Sequence, residues 1–188
     1  MQVPVLHRLG PRRVSWIMVL TLATIAGSFV FACATPFPAL ATLAALHMSR
    51  RDAFILTGVI WVANQTVGYG VLHYPQTWDS FAWGIAIGAA AMIATGMAAG
   101  TETALRSSAR PLTMLVSFAA AFAGYEGALY AATAVLPSEP SAFRLSVVLY
   151  ILEVNAIALG GLLVLQYAGT RIGLAPPRQS LSATATAA

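Results

Sequence analysis

The chain of 188 residues contains no lysine, a single cysteine and few charged residues of either sign. Without lysine there is no Walker A phosphate loop, no Schiff-base enzyme and no lysine general base. Cys33 alone allows neither an internal disulfide nor a metal site built from several cysteines. Charged residues make up 9% of the chain, against roughly 25% in a typical soluble domain. This composition argues against a water-soluble globular protein.

The sequence consists largely of long apolar runs, and hydrophobic residues make up 59% of the chain. A helix needs roughly 20 apolar residues to cross the hydrocarbon core of a bilayer. Five segments reach that length, and a sixth, with two prolines near its start, is short and therefore tilted or re-entrant. The sequence predicts an all-α integral membrane protein, a bundle of six transmembrane helices of which the second is short. The predicted helices are residues 14–33, 34–48, 53–72, 80–100, 111–136 and 143–168.

The domain organisation follows from these runs. A basic cytoplasmic N-terminus (1–13) precedes the membrane domain (14–168), and a polar Ala/Ser/Thr-rich tail (169–188) predicted to be disordered follows it. The connections between the helices are too short to hold a soluble domain.

The arginines predict the orientation of the bundle. With six spans, nine of the ten Arg fall on one side of the membrane and Arg144 falls on the other. Cytoplasmic loops carry an excess of Lys and Arg, so both termini are predicted to be inside. A composition rich in Ala and Arg without Lys indicates a high-GC bacterial genome, and the helical spans predict the bacterial cytoplasmic (inner) membrane. The short Arg clusters between apolar runs do not form the basic face that a nucleic-acid binder needs.

A processing signal is the alternative interpretation of the N-terminus. HRLGPRR, an apolar stretch and VFAC at 30–33 resemble a lipoprotein signal whose Cys33 is lipidated after cleavage. The apolar stretch is longer than a usual signal, and no secreted soluble domain follows it, so a first transmembrane helix is preferred.

Two carboxylates lie deep in the predicted membrane domain. Glu126 precedes the turn at Pro137 by about eleven residues, and Glu153 follows the end of that turn by about twelve. At 1.5 Å per residue the two lie at matched depth, where adjacent antiparallel helices can aim them into one cavity. Ionisable groups at this depth are costly and indicate function. The alternative is that each is protonated and bonded to a neighbouring helix.

Uncharged polar groups accompany the two carboxylates. Asn64 and Gln65 lie in the third helix with Tyr69, and since Asn64 and Gln65 are adjacent, only one is expected to face the same cavity as Tyr69. Packing by hydrogen bonds between helices is the alternative role for the amides. The predicted substrate-binding set also includes neighbours of the two carboxylates, Tyr125 and Asn155.

A third group lies at the outer mouth of the bundle. Cys33, His73 and Trp78 stand near the ends of the first, third and fourth helices, together with Thr35 and Trp83. A thiolate such as that of Cys33 can ligate a transition metal or the metal of a cofactor, although a small buried cysteine is the simpler interpretation and no resident cofactor is predicted. Interfacial aromatic belts also explain the tryptophans.

The sequence shows no recognisable catalytic centre. It has no HExxH, no GxSxG and no pair of histidines on one helix, so an enzyme is not predicted.

Six short helices, about 190 residues, cytoplasmic termini and polar groups in the outer half resemble the substrate-binding S components of energy-coupling factor vitamin transporters. The resemblance is architectural and covers residues 14–168. It implies that the small residues Ala23 and Gly27 dock a transmembrane coupling subunit that works with ATPases, and that the outer loops close over a vitamin. In a solitary cobalamin branch of that family a cysteine ligates the corrin cobalt, which Cys33 is placed to do.

These observations predict a membrane-embedded subunit that takes up a small nutrient from the outer side. The nutrient is a vitamin, with cobalamin as one option, or a cationic or metal-containing ligand. Two alternatives stay open: a self-contained proton- or cation-coupled carrier that uses the paired Glu, and a structural membrane subunit.

Overall fold

The structure is a computed structural model that describes residues 11–30, 35–139 and 141–175. Within these residues it contains six helices and no strand, which confirms the all-α prediction. The helices are α1 (Pro11–Val30), α2 (Phe37–His47), α3 (Arg50–Gly70), α4 (Trp78–Ala104), α5 (Arg110–Ala132) and α6 (Leu145–Arg171).

The short helix α2 is the centre of the bundle. Residues 37–44 are buried without interruption, and α2 packs against α3, α4, α5 and α6. A helix that is apolar on all sides belongs in the interior of a larger structure. Four helices can pack around α2 because it contributes small side chains such as Ala39, Ala41 and Ala44, all fully buried.

The helices run alternately up and down, and this defines two ends. We call the end that carries the connections 71–77 and 133–144 the upper end, and the end that carries 48–49 and 105–109 the lower end. α1 begins at the lower end, where Arg13 forms an ion pair with Asp52 at 3.5 Å. The Trp16 indole N–H donates to the side-chain carbonyl of Gln166 at 3.1 Å, which ties α1 to α6.

Small residues allow α3 and α4 to approach closely. The Trp61 indole N–H donates to the carbonyl of Gly84 at 2.8 Å, and the Thr57 and Thr95 hydroxyls share a hydrogen bond at 2.8 Å. A Cβ atom on Gly88 would lie 2.6 Å from the Trp61 ring, so the ring occupies the space that the missing side chain leaves.

Three of the described helices, α4, α5 and α6, are long and apolar enough to cross a membrane. α2 is apolar but has only 11 residues, and its rise of about 16 Å is half of the hydrocarbon thickness. The structure is thus compatible with a membrane protein and provides three candidate spans among the described residues, half of the six that the sequence predicts.

The close approach of α3 and α4 predicts that Gly88→Ala is destabilising. The added methyl meets the Trp61 ring, and overpacking of this kind costs about 1–3 kcal/mol. Gly100→Ala is the matched control, because it lies in the same helix with nothing within 4 Å of its Cβ position. Thermal unfolding in detergent checks this: a lower Tm for Gly88→Ala and an unchanged or higher Tm for Gly100→Ala are expected.

Candidate functional site

A cavity of about 520 Å³ opens at the upper end, above the first turn of α2. Helices α3 to α6 surround it, and the α5–α6 connection covers it. The side chains that matter most to its chemistry are Asn64, Trp83, Tyr125, Glu126, Glu139 and Asn155. Pockets that bind small organic ligands typically have volumes of roughly 300–1,000 Å³, and this cavity lies within that range.

The carboxylate of Glu126 distinguishes this cavity. One of its oxygens, Oε1, is buried and has no hydrogen-bond partner within the described residues. The preceding residue, Tyr125, is buried and packs against Phe37 with ring centroids 6.0 Å apart. A buried polar atom without a partner costs roughly 1–3 kcal/mol, and more if it is charged. The Glu126 side chain therefore brings an unsatisfied hydrogen-bond acceptor to the lining of this cavity.

The amide side chains build the walls of the cavity. Asn155 is buried and its Oδ1 accepts from the backbone N–H of Ala39 at 3.2 Å, while its Nδ2 donates to the carbonyl of Ile151 at 3.0 Å. Asn155 therefore satisfies a free N–H in the first turn of α2, as a capping residue would. Asn64 donates through Nδ2 to the Thr35 hydroxyl. These bonds hold the start of α2 between α3 and α6.

The connection between α5 and α6 forms the cover of the cavity. The Trp83 indole N–H on α4 donates to the carbonyl of Pro137 at 2.8 Å. Phe143 packs edge-on against Tyr130 with centroids 5.4 Å apart. Glu139, in the same connection, is exposed and lines the rim, so a second carboxylate stands near the entrance.

The structure brings together four of the predicted binding residues and separates Glu153 from them. Tyr125, Glu126, Asn64 and Asn155 line the cavity, whereas Glu153 is exposed on α6 and does not line it. Ile151 and Asn155 mark the cavity face of α6, and Glu153 lies two residues from each, a rotation of about 200° around the helix. The second carboxylate at the cavity is Glu139.

Gln65 and Tyr69 lie beside the cavity, against α4. The Tyr69 hydroxyl shares a hydrogen bond with the Ser80 hydroxyl at 3.1 Å, and its ring stacks on Phe81 with centroids 4.8 Å apart. The Gln65 side-chain carbonyl fills the space beside Gly84. Gln65 and Tyr69 thus share one face of α3 and Asn64 takes another, so the amide that lines the cavity, Asn64, is not the one that shares a face with Tyr69.

The remaining predicted residues fall elsewhere. His73 and Trp78 are exposed and do not line the cavity, and His73 has a positive φ of 54° in the α3–α4 connection. Ala23 is half-buried in α1. Cys33 lies outside the described residues, as does the environment of Gly27. Within the described residues no group of three His, Cys, Asp or Glu side chains is placed to hold a metal ion.

Sequence reasoning missed Phe37 and the cover residues 137–139, 142 and 143, while Thr35 and Trp83, expected at the mouth, do line the cavity. The prolines around Glu139 mark a turn, but no feature of the sequence shows that this turn folds over the cavity.

Comparison of the chain with protein-family models, with curated proteins and with solved structures finds no match.

The hydrogen bond from Trp83 to the cover predicts the effect of Trp83→Phe. The loss of one hydrogen bond of about 1 kcal/mol is expected to speed amide hydrogen exchange in residues 133–144 about fivefold. Trp78→Phe is the control, because Trp78 is 67% exposed and does not line the cavity. Equal exchange rates in the two variants would contradict a cover held by Trp83.

Proposed function

We propose that the chain is a membrane-embedded binding subunit that captures a small solute with a positively charged group from the outer side of the bacterial cytoplasmic membrane. The observation that carries this proposal is the side chain of Glu126 in the lining of the upper cavity, whose Oε1 is buried and has no partner within the described residues. A carboxylate pairs with a cation through charge-assisted hydrogen bonds, which are roughly twice as strong as neutral ones.

The walls of the cavity indicate what the rest of the solute is like. Phe37, Trp83, Tyr125 and Phe143 contribute aromatic rings, and such rings attract cations and apolar groups. Ile87, Leu129 and Ile151 add aliphatic surface. These surfaces favour an organic cation with a compact, partly apolar body over a hydrated inorganic ion.

The distribution of charge supports the orientation. Seven of the described arginines lie toward the lower end, and Arg144 lies toward the upper end. The excess of Arg on the cytoplasmic side of membrane proteins then directs the lower end inward and the cavity outward. In this proposal all six helices belong to the membrane domain, with α2 reaching only part of its depth.

A binding subunit that has no ATPase site of its own would need a coupling partner to drive transport. The S components that the architecture resembles work in this way. The proposal assigns no catalytic step to the chain. A carrier that works alone is the alternative, and proton movement driven by solute in liposomes that contain this chain alone would favour it.

The test of the proposal is binding of three probes that share one ring and differ in charge: benzylammonium, benzyl alcohol and benzoate. Quenching of tryptophan fluorescence reports binding, since Trp83 lines the cavity. We expect benzylammonium to bind most tightly. In Glu126→Gln its affinity is expected to fall by tenfold or more, the effect of losing a hydrogen bond to a charged group worth about 1.5–3 kcal/mol.

Glu153→Gln is the matched control, because it makes the same change at similar depth on the outward face of α6. Its affinity for benzylammonium is expected to stay within twofold of the unaltered protein. An unchanged affinity in Glu126→Gln, or an equal loss in the two variants, would overturn the proposed site.

A further inference from the structure

A second and larger cavity, of about 960 Å³, lies at the lower end. It forms where α2 ends at His47, α3 begins at Arg50, α4 ends at Ala104 and α5 begins at Arg110. The proposed function makes no use of it. Its lining differs from that of the upper cavity above all in charge.

Three arginines line this cavity: Arg50, Arg106 and Arg110. Within the described residues the one ion pair joins Arg13 to Asp52, so none of the three guanidinium groups has a carboxylate within 4.0 Å. Glu102 is the one acidic residue in the lining. The cavity therefore holds an excess of positive charge.

The chain itself has no acidic segment that could neutralise this excess. All six of its carboxylate side chains lie in the described residues. Residues 1–10 and 176–188 contain no Asp or Glu and add Arg8 and Arg178. Arg50, Arg106 and Arg110 are all exposed, so an anion from outside the chain can pair with them.

Helix ends do not reverse the sign of the cavity. The N-termini of α3 and α5, with partial positive charge, meet the C-termini of α2 and α4, with partial negative charge. The partial charges of two N-termini and two C-termini nearly cancel, so the charged side chains determine the net charge of the cavity. The first turn of α5 also lacks a side-chain cap at Ala109, so no capping side chain competes for the backbone N–H of Arg110, whereas Pro111 has no N–H to offer.

The chemistry of the lining selects a phosphate. Guanidinium groups present paired N–H donors that match the oxygens of a phosphate. Ser108 adds a hydroxyl, while Met48, Met114 and Leu163 give the inner wall an apolar surface. Next to the cavity, Leu112 and Leu115 are exposed on α5, where acyl chains can lie against them.

We propose that the lower cavity binds a phosphate-bearing anion through Arg50, Arg106 and Arg110. The group can come from the headgroup of an anionic phospholipid or from a free phosphate ester. Basic pockets between membrane helices are typical sites for anionic headgroups.

The experiment uses the full chain in nanodiscs of phosphatidylcholine with added phosphatidylglycerol, and native mass spectrometry counts retained phosphatidylglycerol. Arg106→Gln combined with Arg110→Gln is expected to weaken retention at least tenfold. Arg12→Gln combined with Arg51→Gln is the matched control: it removes the same charge from the same end, but outside the cavity lining, and retention is expected to stay within twofold.

A variant with the opposite expected effect on retention tests the proposal even if the double arginine variant fails to fold. Glu102→Gln removes the negative charge from the lining and is expected to strengthen retention severalfold. Weaker or unchanged retention in Glu102→Gln, or an equal loss in the two double arginine variants, would overturn the site.

Glycerol 3-phosphate, added to the protein in detergent, separates the two sources of phosphate. Binding that depends on Arg106 and Arg110 would support a site for free phosphate esters. Retention of phosphatidylglycerol with no binding of glycerol 3-phosphate would support a lipid site. Binding of neither probe above the level of phosphatidylcholine would overturn the proposal.

Discussion

The burial of α2 is the constraint on which the rest of the structure depends. An eleven-residue helix whose residues 37–44 are all buried must be surrounded on every side, and α3, α4, α5 and α6 provide that shell. Its first turn is buried, and Asn155 on α6 supplies the hydrogen-bond acceptor for the backbone N–H of Ala39. That requirement fixes the rotation of α6, and with it the side chains that face the upper cavity.

The two cavities follow from the length of α2, because its neighbours are about twice as long and extend past both of its ends. Above its first turn lies the cavity with Glu126, and below its last residue lies the cavity with three unpaired arginines. The two therefore differ in sign, the upper one suited to cations and the lower one to anions. One short central helix thus leaves room for two cavities whose lining side chains carry opposite charges.

The helices and the depth of the cavity residues could be predicted from the sequence, because apolar runs set the helix lengths and residue counts set the depth. Glu126 could also be identified from the sequence, because a carboxylate in a long apolar run is rare. The direction in which the Glu153 side chain points could not be predicted from the sequence. α6 is apolar on several faces, with exposed residues such as Leu149, Ile157 and Val164, so its pattern does not show which face turns inward. That face is decided by the bond between Asn155 and Ala39, a contact across 116 residues.

The shortness of α2 also has an electrical consequence. A transmembrane voltage falls mainly across the layer with the lowest dielectric constant, so in the proposed bilayer orientation water filling the two cavities would narrow that layer to the length of α2. The field along α2 is then steeper than in a uniform bilayer core of about 30 Å. Under the proposed function, a cation bound at Glu126 would have crossed only the part of the voltage that lies above α2, so the rest of the roughly 2.3 kcal/mol per charge and 100 mV would remain available to drive its passage inward.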